Sequence, residues 1–289
     1  MSFFESNQRQ QTEPMAQDAA AEQENLHRPA ITAKNVYLSY RSIAPVKRRN
    51  IKQASGFKDD AFKKKGRVEH FEALHGVSFE VEKGEIIGLI GRNGSGKSTL
   101  LRVLAGIFEP DKGTVDLHGN TVSLLALGVG FQMQLSGREN IYLSGLLLGF
   151  SKEEIDDQID EIIDFSELGR FIEQPVRTYS SGMQSKLGFA ITAILKTDII
   201  LVDEVLSVGD SHFKKKSGRK MAELISEKSR TVVIVSHSPE TIRANCEKVI
   251  WLHDGDILKI GPTNEVVDEY EEFMTQYDEA AWQQPKKKK

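Results

Sequence analysis

The feature that most constrains this chain is the segment GRNGSGKST at residues 91–99. It matches the pattern G-x-x-x-x-G-K-[ST], in which a glycine-rich loop presents backbone N–H groups to the phosphates of a nucleotide. The apolar, β-branched run IIGLI precedes it at residues 86–90, and the apolar pattern STLLRVLAGIF at residues 98–108 predicts a helix after it. A buried strand, a phosphate-binding loop and a helix in this order predict an α/β fold.

The phosphate-binding loop supplies a contiguous set of candidate ATP ligands: Gly91, Arg92, Asn93, Gly94, Ser95, Gly96, Lys97, Ser98 and Thr99. We expect Lys97 to bridge the β- and γ-phosphates and Ser98 to ligate Mg²⁺, so that ATP and Mg²⁺ are the expected cofactors. Thr99 is a candidate contact to the α-phosphate. The alternative is a glycine-rich turn without a ligand, which the complete motif between a strand and a helix disfavours.

The composition is that of an ordinary soluble globular protein, with 39% hydrophobic and 28% charged residues. The net charge of −4 argues against nucleic acid as a partner. The single cysteine, Cys246, excludes an internal disulfide framework and suits a reducing cytoplasm. No apolar stretch approaches the roughly 20 residues that span a bilayer, and the N-terminus does not have the pattern of a signal peptide. If this protein acts at a membrane, we therefore expect it to be a peripheral subunit on the cytoplasmic side.

The chain divides by composition into two tails and one domain. Residues 1–28 predict a disordered tail, residues 29–275 the domain and residues 276–289 a basic tail. Within the domain, residues 41–70 form a basic insert, and residues 132–190 predict a helical part. The insert is either a solvated loop or a segment that lies near anionic headgroups.

Local patterns place most of the elements of the domain. Alternation predicts a strand at residues 30–40, and helical spacing predicts single helices at residues 151–165, from Ser181 onward and at residues 263–277. A turn is expected at Lys83-Gly84. The apolar runs at residues 199–202 and 231–235 predict buried parallel strands, and Asp254-Gly255 predicts the turn of a hairpin.

Polar residues with possible catalytic roles follow the two later strands. Asp203 and Glu204 come directly after the run IILV, and His237 follows TVVIV. Since ligands of such sheets bind at the carboxyl ends of the strands, we expect Asp203 to hold Mg²⁺ and Glu204 to orient or deprotonate the attacking water. A solvated turn is the alternative for the two acids, and a structural histidine is the alternative for His237.

Two further segments carry a resemblance to a known family. The sequences YSSGM at residues 179–183 and SVGD at residues 207–210 resemble the signature and D-loop of ABC ATPases. Two of the signature residues differ from the usual pattern, because Ser181 replaces a glycine and Met183 a glutamine. The resemblance implies a mixed, largely parallel core sheet, an antiparallel β subdomain and a helical subdomain that carries the signature.

The same resemblance assigns roles to individual residues. It implies that Ser180, Ser181, Gly182 and Met183 contact ATP held by a second copy of the chain, and that Ser207 and Asp210 belong to the D-loop between the copies. His237 matches the residue that contacts the γ-phosphate. Tyr40 occupies the place of an aromatic that stacks on adenine, although a core or interface tyrosine is the alternative. Gln132, with Gln134 as the second choice, corresponds to the glutamine near Mg²⁺.

Longer phrases narrow the resemblance to one group of ABC proteins. The basic insert, LSGRENIYLSGLLLGF, QPVRTYSSGMQSKLGFAI and WLHDG…EVVDEYEEF are similar to ATP-binding subunits of wall teichoic acid and O-antigen exporters, with the teichoic acid type closest. This implies a homodimer at the cytoplasmic face of the membrane, beneath two copies of a permease that moves a lipid-linked polymer outward. The alternatives are an O-antigen or capsular polysaccharide exporter and a soluble ABC ATPase that acts on nucleic acid or ribosomes.

Overall fold

The computed structural model describes residues 28–43, 68–125, 130–203, 210–226 and 230–283. The predicted N-terminal tail up to residue 27 and most of the basic insert lie outside the described residues. So do Glu204 and Ser207.

Three strands from the N-terminal part of the domain form an antiparallel sheet. Its strands are β1 (Pro29–Ile43), β2 (Val68–Glu82) and β4 (Lys112–Asp116), in the order β2-β1-β4. β1 and β2 pair along almost their whole length, from Pro29 opposite Glu82 to Ile43 opposite Val68. Residues 41–43 and 68–70, at the two ends of the predicted basic insert, are therefore paired strand residues of this hairpin.

A six-stranded sheet forms the centre of the molecule. Its strands are β3 (Ile86–Ile90), β5 (Val122–Leu125), β6 (Ile199–Val202), β7 (Thr231–Val235), β8 (Lys248–His253) and β9 (Asp256–Pro262), in the order β5-β6-β7-β3-β8-β9. All neighbours pair in parallel except β8 and β9, which form the predicted hairpin. β6 and β7 are buried at every position, as expected for parallel strands covered on both faces.

Eight α-helices are described: α1 (Lys97–Leu104), α2 (Gly137–Leu147), α3 (Lys152–Asp156), α4 (Ile159–Ser166), α5 (Ser181–Ile194), α6 (Ser211–Ser226), α7 (Pro239–Asn245) and α8 (Thr263–Gln283). Short 3₁₀ turns lie at Gly169–Glu173 and Val176–Thr178. Helices α2–α5 share a buried cluster that includes Ile141, Ile162 and Leu187. This cluster is the core of a helical subdomain beside the two sheets.

The single helix predicted for residues 151–165 is wrong, because the chain forms two helices separated at Asp157-Gln158. The predicted start is confirmed, since Ser151 and Glu154 form a capping box. Ile155 is fully buried and packs where α2 has Gly145, at which a Cβ atom would lie 2.5 Å from the Cδ1 atom of Ile155. The break allows both short helices to bury their isoleucines in one core.

Two other helices differ in length from the sequence prediction. α1 ends at Leu104 rather than near Phe108, because Gly106 has a φ of 68° and closes the helix with bonds from the N–H groups of Gly106 and Ile107 to the carbonyls of Val103 and Arg102. α8 continues to Gln283, past residue 275. None of the helices in the described ranges has the length and apolarity needed to cross a membrane.

Candidate functional site

The phosphate-binding loop joins β3, a central strand of the large sheet, to α1. A Cβ atom at Gly91 would lie 2.1 Å from the backbone oxygen of Leu252 in β8, so only glycine fits there. Gly94 has a φ of 88°, and a Cβ atom at this position would meet nothing within 4 Å. The loop is thus fixed on the side that faces β8 and β9, where the N–H of Gly255 donates to the carbonyl of Ser95 at 3.1 Å. It is open at Gly94.

Lys97 is buried inside this loop, with 7% of its surface exposed. Its ammonium donates to the carbonyls of Gly91 at 2.7 Å and Arg92 at 2.8 Å. Burial lowers the pKa of Lys97, and the negative charge of Asp203 acts in the opposite direction. An ammonium held within a glycine-rich loop, where the charge of a carboxylate also acts on it, is suited to bind a phosphate together with a divalent cation.

Ser95 gives a second indication that the loop accommodates a ligand. Its side chain is 1% exposed, and its Oγ atom is buried without a hydrogen-bond partner in the described structure. Buried polar atoms in proteins are almost always satisfied, so an orphaned hydroxyl in this loop is consistent with a missing acceptor or donor. The loop also leads directly into α1, and the N–H groups at a helix N-terminus favour an anion.

The structure brings Asp203 and His237 to the same edge of the sheet as the phosphate-binding loop. Asp203 follows β6 directly and His237 lies two residues after β7, while β7 is the neighbour of both β6 and β3. The His237 side chain is exposed to solvent. Glu204 lies outside the described residues, so its predicted role at this edge stays a prediction.

The described part of the chain contains no cluster of three or more His, Cys, Asp or Glu side chains that could hold a metal. Mg²⁺ does not require one, because it is commonly held by one or two protein oxygens, phosphates and water. Ser98, which is exposed, and Asp203 supply a hydroxyl and a carboxylate beside the phosphate site. The residues therefore fit Mg²⁺ that arrives with a nucleotide.

Tyr40 lies at the end of this site. Its hydroxyl is 3.1 Å from the Oγ1 atom of Thr99, and its ring meets Phe108 edge-on at 6.0 Å. The ring is half-buried and packs against the apolar core. Tyr40 thus borders the loop and also packs in the core.

The signature residues lie in the helical subdomain. Ser180 caps α5, because its Oγ atom accepts from the N–H of Met183 at 3.2 Å, and Ser180 and Ser181 are exposed. Together with Gly182 they line an open cleft of about 580 Å³. None of the residues that line this cleft belongs to the phosphate-binding loop. Within one chain, the signature and the loop are therefore separate surfaces.

Asp210 makes its contacts within the chain. Its carboxylate accepts from the N–H groups of His212 and Phe213, each at 3.0 Å, and pairs with Lys186 of α5 at 2.9 Å. The bond from Lys186 and the bond from the Phe213 N–H hold the pKa of Asp210 well below its usual range. The predicted position between two copies remains a prediction, and Ser207 is not described.

Gln132 is fixed through its backbone. Its N–H donates to the Oδ1 atom of Asn140 at 2.8 Å, and its carbonyl accepts from the Nδ2 atom of Asn140 at 3.1 Å. Asn140 is fully buried in α2, while the side chains of Gln132 and Gln134 are exposed. Neither Asn140 nor Lys186 is predicted above, although an asparagine within an apolar helical pattern is a signal for a buried polar contact.

Comparisons with known proteins agree with this geometry. A family profile described as ABC transporter matches residues 74–207. The teichoic acids export ATP-binding protein TagH of Bacillus anthracis is 47% identical over 229 residues, which are 79% of this chain and 41% of that protein. The O-antigen export system ATP-binding protein RfbB of Klebsiella pneumoniae is 42% identical over 225 residues, which are 76% of this chain and 91% of that protein.

The chain spans less than half the length of the Bacillus TagH relatives that it matches. Among solved structures, the dimeric post-hydrolysis state of the ATP-binding cassette MJ0796 bound to ADP and Pi covers 81% of this chain with a TM-score of 0.59. At 22% identity this likeness bears on the fold alone. The predicted fold, with a largely parallel sheet, an antiparallel sheet and a helical subdomain, is confirmed.

Proposed function

Because the chain belongs to the ABC transporter family of ATP-binding proteins, we propose that it binds and hydrolyses ATP to drive export of lipid-linked wall teichoic acid. The proposal that the chain binds ATP is supported above all by the buried ammonium of Lys97. This group donates to the carbonyls of Gly91 and Arg92 and is affected by the charge of Asp203. The names of the TagH relatives, at 45–47% identity for the two from Bacillus, support the choice of polymer.

Each residue at the site has a role that follows from its chemistry. Lys97 exchanges its bonds to loop carbonyls for bonds to the β- and γ-phosphates, and the loop N–H groups hold the remaining phosphate oxygens. Ser98 and Asp203 would hold Mg²⁺, with Gln132 as a further ligand, and the metal when bound neutralises charge on the phosphates. Glu204 orients the attacking water, and His237 contacts the γ-phosphate.

Hydrolysis in this proposal requires a second copy of the chain. The exposed residues Ser180 and Ser181 and the half-buried Gly182, at the N-terminus of α5, present hydroxyl and N–H groups, which suit a phosphate. They line a cleft to which the phosphate-binding loop of the same chain does not contribute. A head-to-tail pair of chains places each signature over the nucleotide of its partner.

A groove between the large sheet and the helical subdomain provides a surface for the membrane-spanning permease. It has a volume of about 290 Å³ and is lined mainly by apolar residues, among them Ile107, Phe131 and Leu147. Leu147 is 75% exposed and Ile107 45% exposed. Apolar side chains left in water beside a groove mark an interaction site, and a permease docked there would hold the chain at the cytoplasmic face of the membrane.

Export of O-antigen is the second candidate. The RfbB protein of Klebsiella pneumoniae is covered over 91% of its length, much more than the TagH relatives. The two candidates differ in the polymer that is exported.

The ATPase assignment is tested with Glu204→Gln. We expect the variant to bind ATP, to lose turnover and to accumulate as an ATP-bound dimer in size-exclusion chromatography. Turnover equal to that of the wild type would refute the role of Glu204. The polymer is identified by purifying the chain with its permease from membranes and measuring which lipid-linked polymer, teichoic acid or O-antigen, stimulates ATP hydrolysis.

A further inference from the structure

The side chain of Arg92, in the phosphate-binding loop, contacts the C-terminal helix α8. Its guanidinium carbon lies 3.8 Å from the centroid of the Tyr277 ring in α8. A guanidinium within about 6 Å of an aromatic face is attracted by the negative face of the ring. The second residue of the phosphate-binding loop is thus tied to a residue that is far away in the sequence.

Tyr277 is itself the end of a row of aromatic contacts. Its ring lies 6.1 Å from that of Phe273, which meets Trp251 at 5.2 Å and His253 at 5.1 Å. Tyr270, one turn earlier in α8, meets Trp251 at 5.6 Å. The spacing of Tyr270, Phe273 and Tyr277 places the three on one face of the helix. This face packs on the end of β8 through Tyr270 and Phe273, and Tyr277 is connected to the sheet through its contact with Phe273.

The backbone carbonyl of Arg92 makes two further hydrogen bonds within the loop. Its carbonyl accepts from the ammonium of Lys97 at 2.8 Å and from the N–H of Ser95 at 3.1 Å. Arg92 therefore connects two sets of contacts, with the phosphate-binding lysine at its carbonyl and α8 at its guanidinium. A change at Lys97 on phosphate binding acts on the same residue that α8 holds.

We propose that Tyr277 is a positioning residue of the nucleotide site, which acts through Arg92 and couples docking of α8 to occupancy of the phosphate-binding loop. The proposal rests on the ATP binding proposed above. Coupling between two sites is reciprocal, so α8 stabilises the binding-competent loop and a bound nucleotide stabilises the docked helix. Tyr277 is 41% exposed, which leaves the contact able to form and break without opening the core.

The test uses the full chain, ADP as the probe and isothermal titration calorimetry. Tyr277→Leu should weaken ADP binding roughly two- to five-fold, the ratio that corresponds to a solvent-exposed cation–π contact. Tyr277→Phe keeps the aromatic face and should bind ADP as the wild type does. Gln276→Leu, at the exposed preceding position of the same helix, is the matched control and should also leave the affinity unchanged.

A double-mutant cycle shows whether the effect passes through Arg92. In an Arg92→Gln background, Tyr277→Leu should cause no further loss of ADP affinity. Equal ADP affinities of Tyr277→Leu and Gln276→Leu would overturn the inference, and so would an undiminished effect of Tyr277→Leu in the Arg92→Gln background. A wild-type chain that binds no ADP would overturn the proposed function and this inference together.

Hydrogen exchange in the wild type gives a measurement that needs no substitution. Addition of ADP should slow amide exchange at residues 270–277 of α8, because the coupling is reciprocal. Exchange there that is identical with and without ADP, while exchange at residues 91–99 slows, would contradict the coupling.

Discussion

The ammonium group of Lys186 lies 2.9 Å from a carboxylate oxygen of Asp210, which connects the helix that carries the signature residues to the residue that precedes and caps α6. Lys186 also lies 3.3 Å from Glu167 at the end of α4, and Glu167 pairs with Lys216 of α6 at 3.1 Å. Burial alone would lower the pKa of Lys186, but its bonds to Asp210 and Glu167 outweigh that effect and raise it. Three helices around the signature are thus linked by charge.

This network predicts a specific dependence of stability on acid. Asp210 is held ionised in the folded chain, so its contribution to the free energy of unfolding is complete above the ordinary aspartate pKa of 3.8 and is lost as the pH falls below that value. We expect Asp210→Asn to unfold at lower denaturant than the wild type at pH 7 and to lose less stability between about pH 5 and pH 3.

Urea unfolding followed by circular dichroism at several pH values measures both effects. Asp160→Asn removes the same charge from an exposed position in α4 and serves as the control. Parallel pH profiles of the wild type and Asp210→Asn would show that the pair with Lys186 does not stabilise the fold.

Ser180 combines a structural role with a proposed functional one, and two substitutions separate them. Ser180→Ala removes the cap of α5 and should cost about 1 kcal/mol, or a Tm decrease of about 2–4 °C in a domain of this size. Ser180→Asp keeps a capping oxygen and should retain the Tm.

The aspartate should nevertheless abolish ATP hydrolysis, since its charge would face the phosphates held by the second copy. Like charges across an interface cost several kcal/mol, so turnover should fall about 100-fold or more. Differential scanning fluorimetry and a phosphate-release assay measure the two effects. Full turnover in Ser180→Asp would contradict a phosphate contact by the signature.

Tyr40 is open to two interpretations that differ in their ligand dependence. If the ring stacks on adenine, Tyr40→Leu should weaken ATP binding about tenfold, because stacking of a base on an aromatic contributes about 1–3 kcal/mol. The affinity for inorganic triphosphate, which has no base, should not change. Tyr40→Phe loses only the bond to Thr99 and should stay within about threefold of the wild type.

A core role predicts the opposite pattern for the same variants. Tyr40→Leu would then lower the Tm through the lost contact with Phe108 and affect ATP and triphosphate binding equally. Equilibrium binding of both ligands, measured next to the Tm, decides between the two interpretations.

Contacts that follow from a local sequence pattern could be predicted, whereas contacts between elements that no pattern relates could not. The phosphate-binding loop and Asp203 each follow an uninterrupted apolar strand, and parallel strands end at a common edge, so their meeting could be derived from the sequence. The pair of Lys186 with Asp210 joins helices that no local pattern relates. The same is true of Arg92 and Tyr277, which meet only because α8 packs on β8.

The break between α3 and α4 could not be predicted for a related reason. Ile155, Ile159 and Ile162 keep helical spacing across it, so the periodicity contains no stop signal. Ile155 packs against Gly145 of α2, a contact between separate helices that the local pattern does not contain. Such tertiary contacts override local propensity.

Leu147 provides a direct test of the proposed docking groove. Its side chain is 75% exposed beside the groove near β5, so Leu147→Asp should leave the Tm and the ATPase activity of the isolated chain unchanged. Loss of a buried leucine at an interface costs about 1.5–3 kcal/mol, so recovery of the permease with the tagged chain should fall about tenfold or more. Leu258→Asp makes the same change at an exposed leucine of β9, on the opposite edge of the sheet, and should retain the permease. Equal recovery with both variants would place the permease elsewhere.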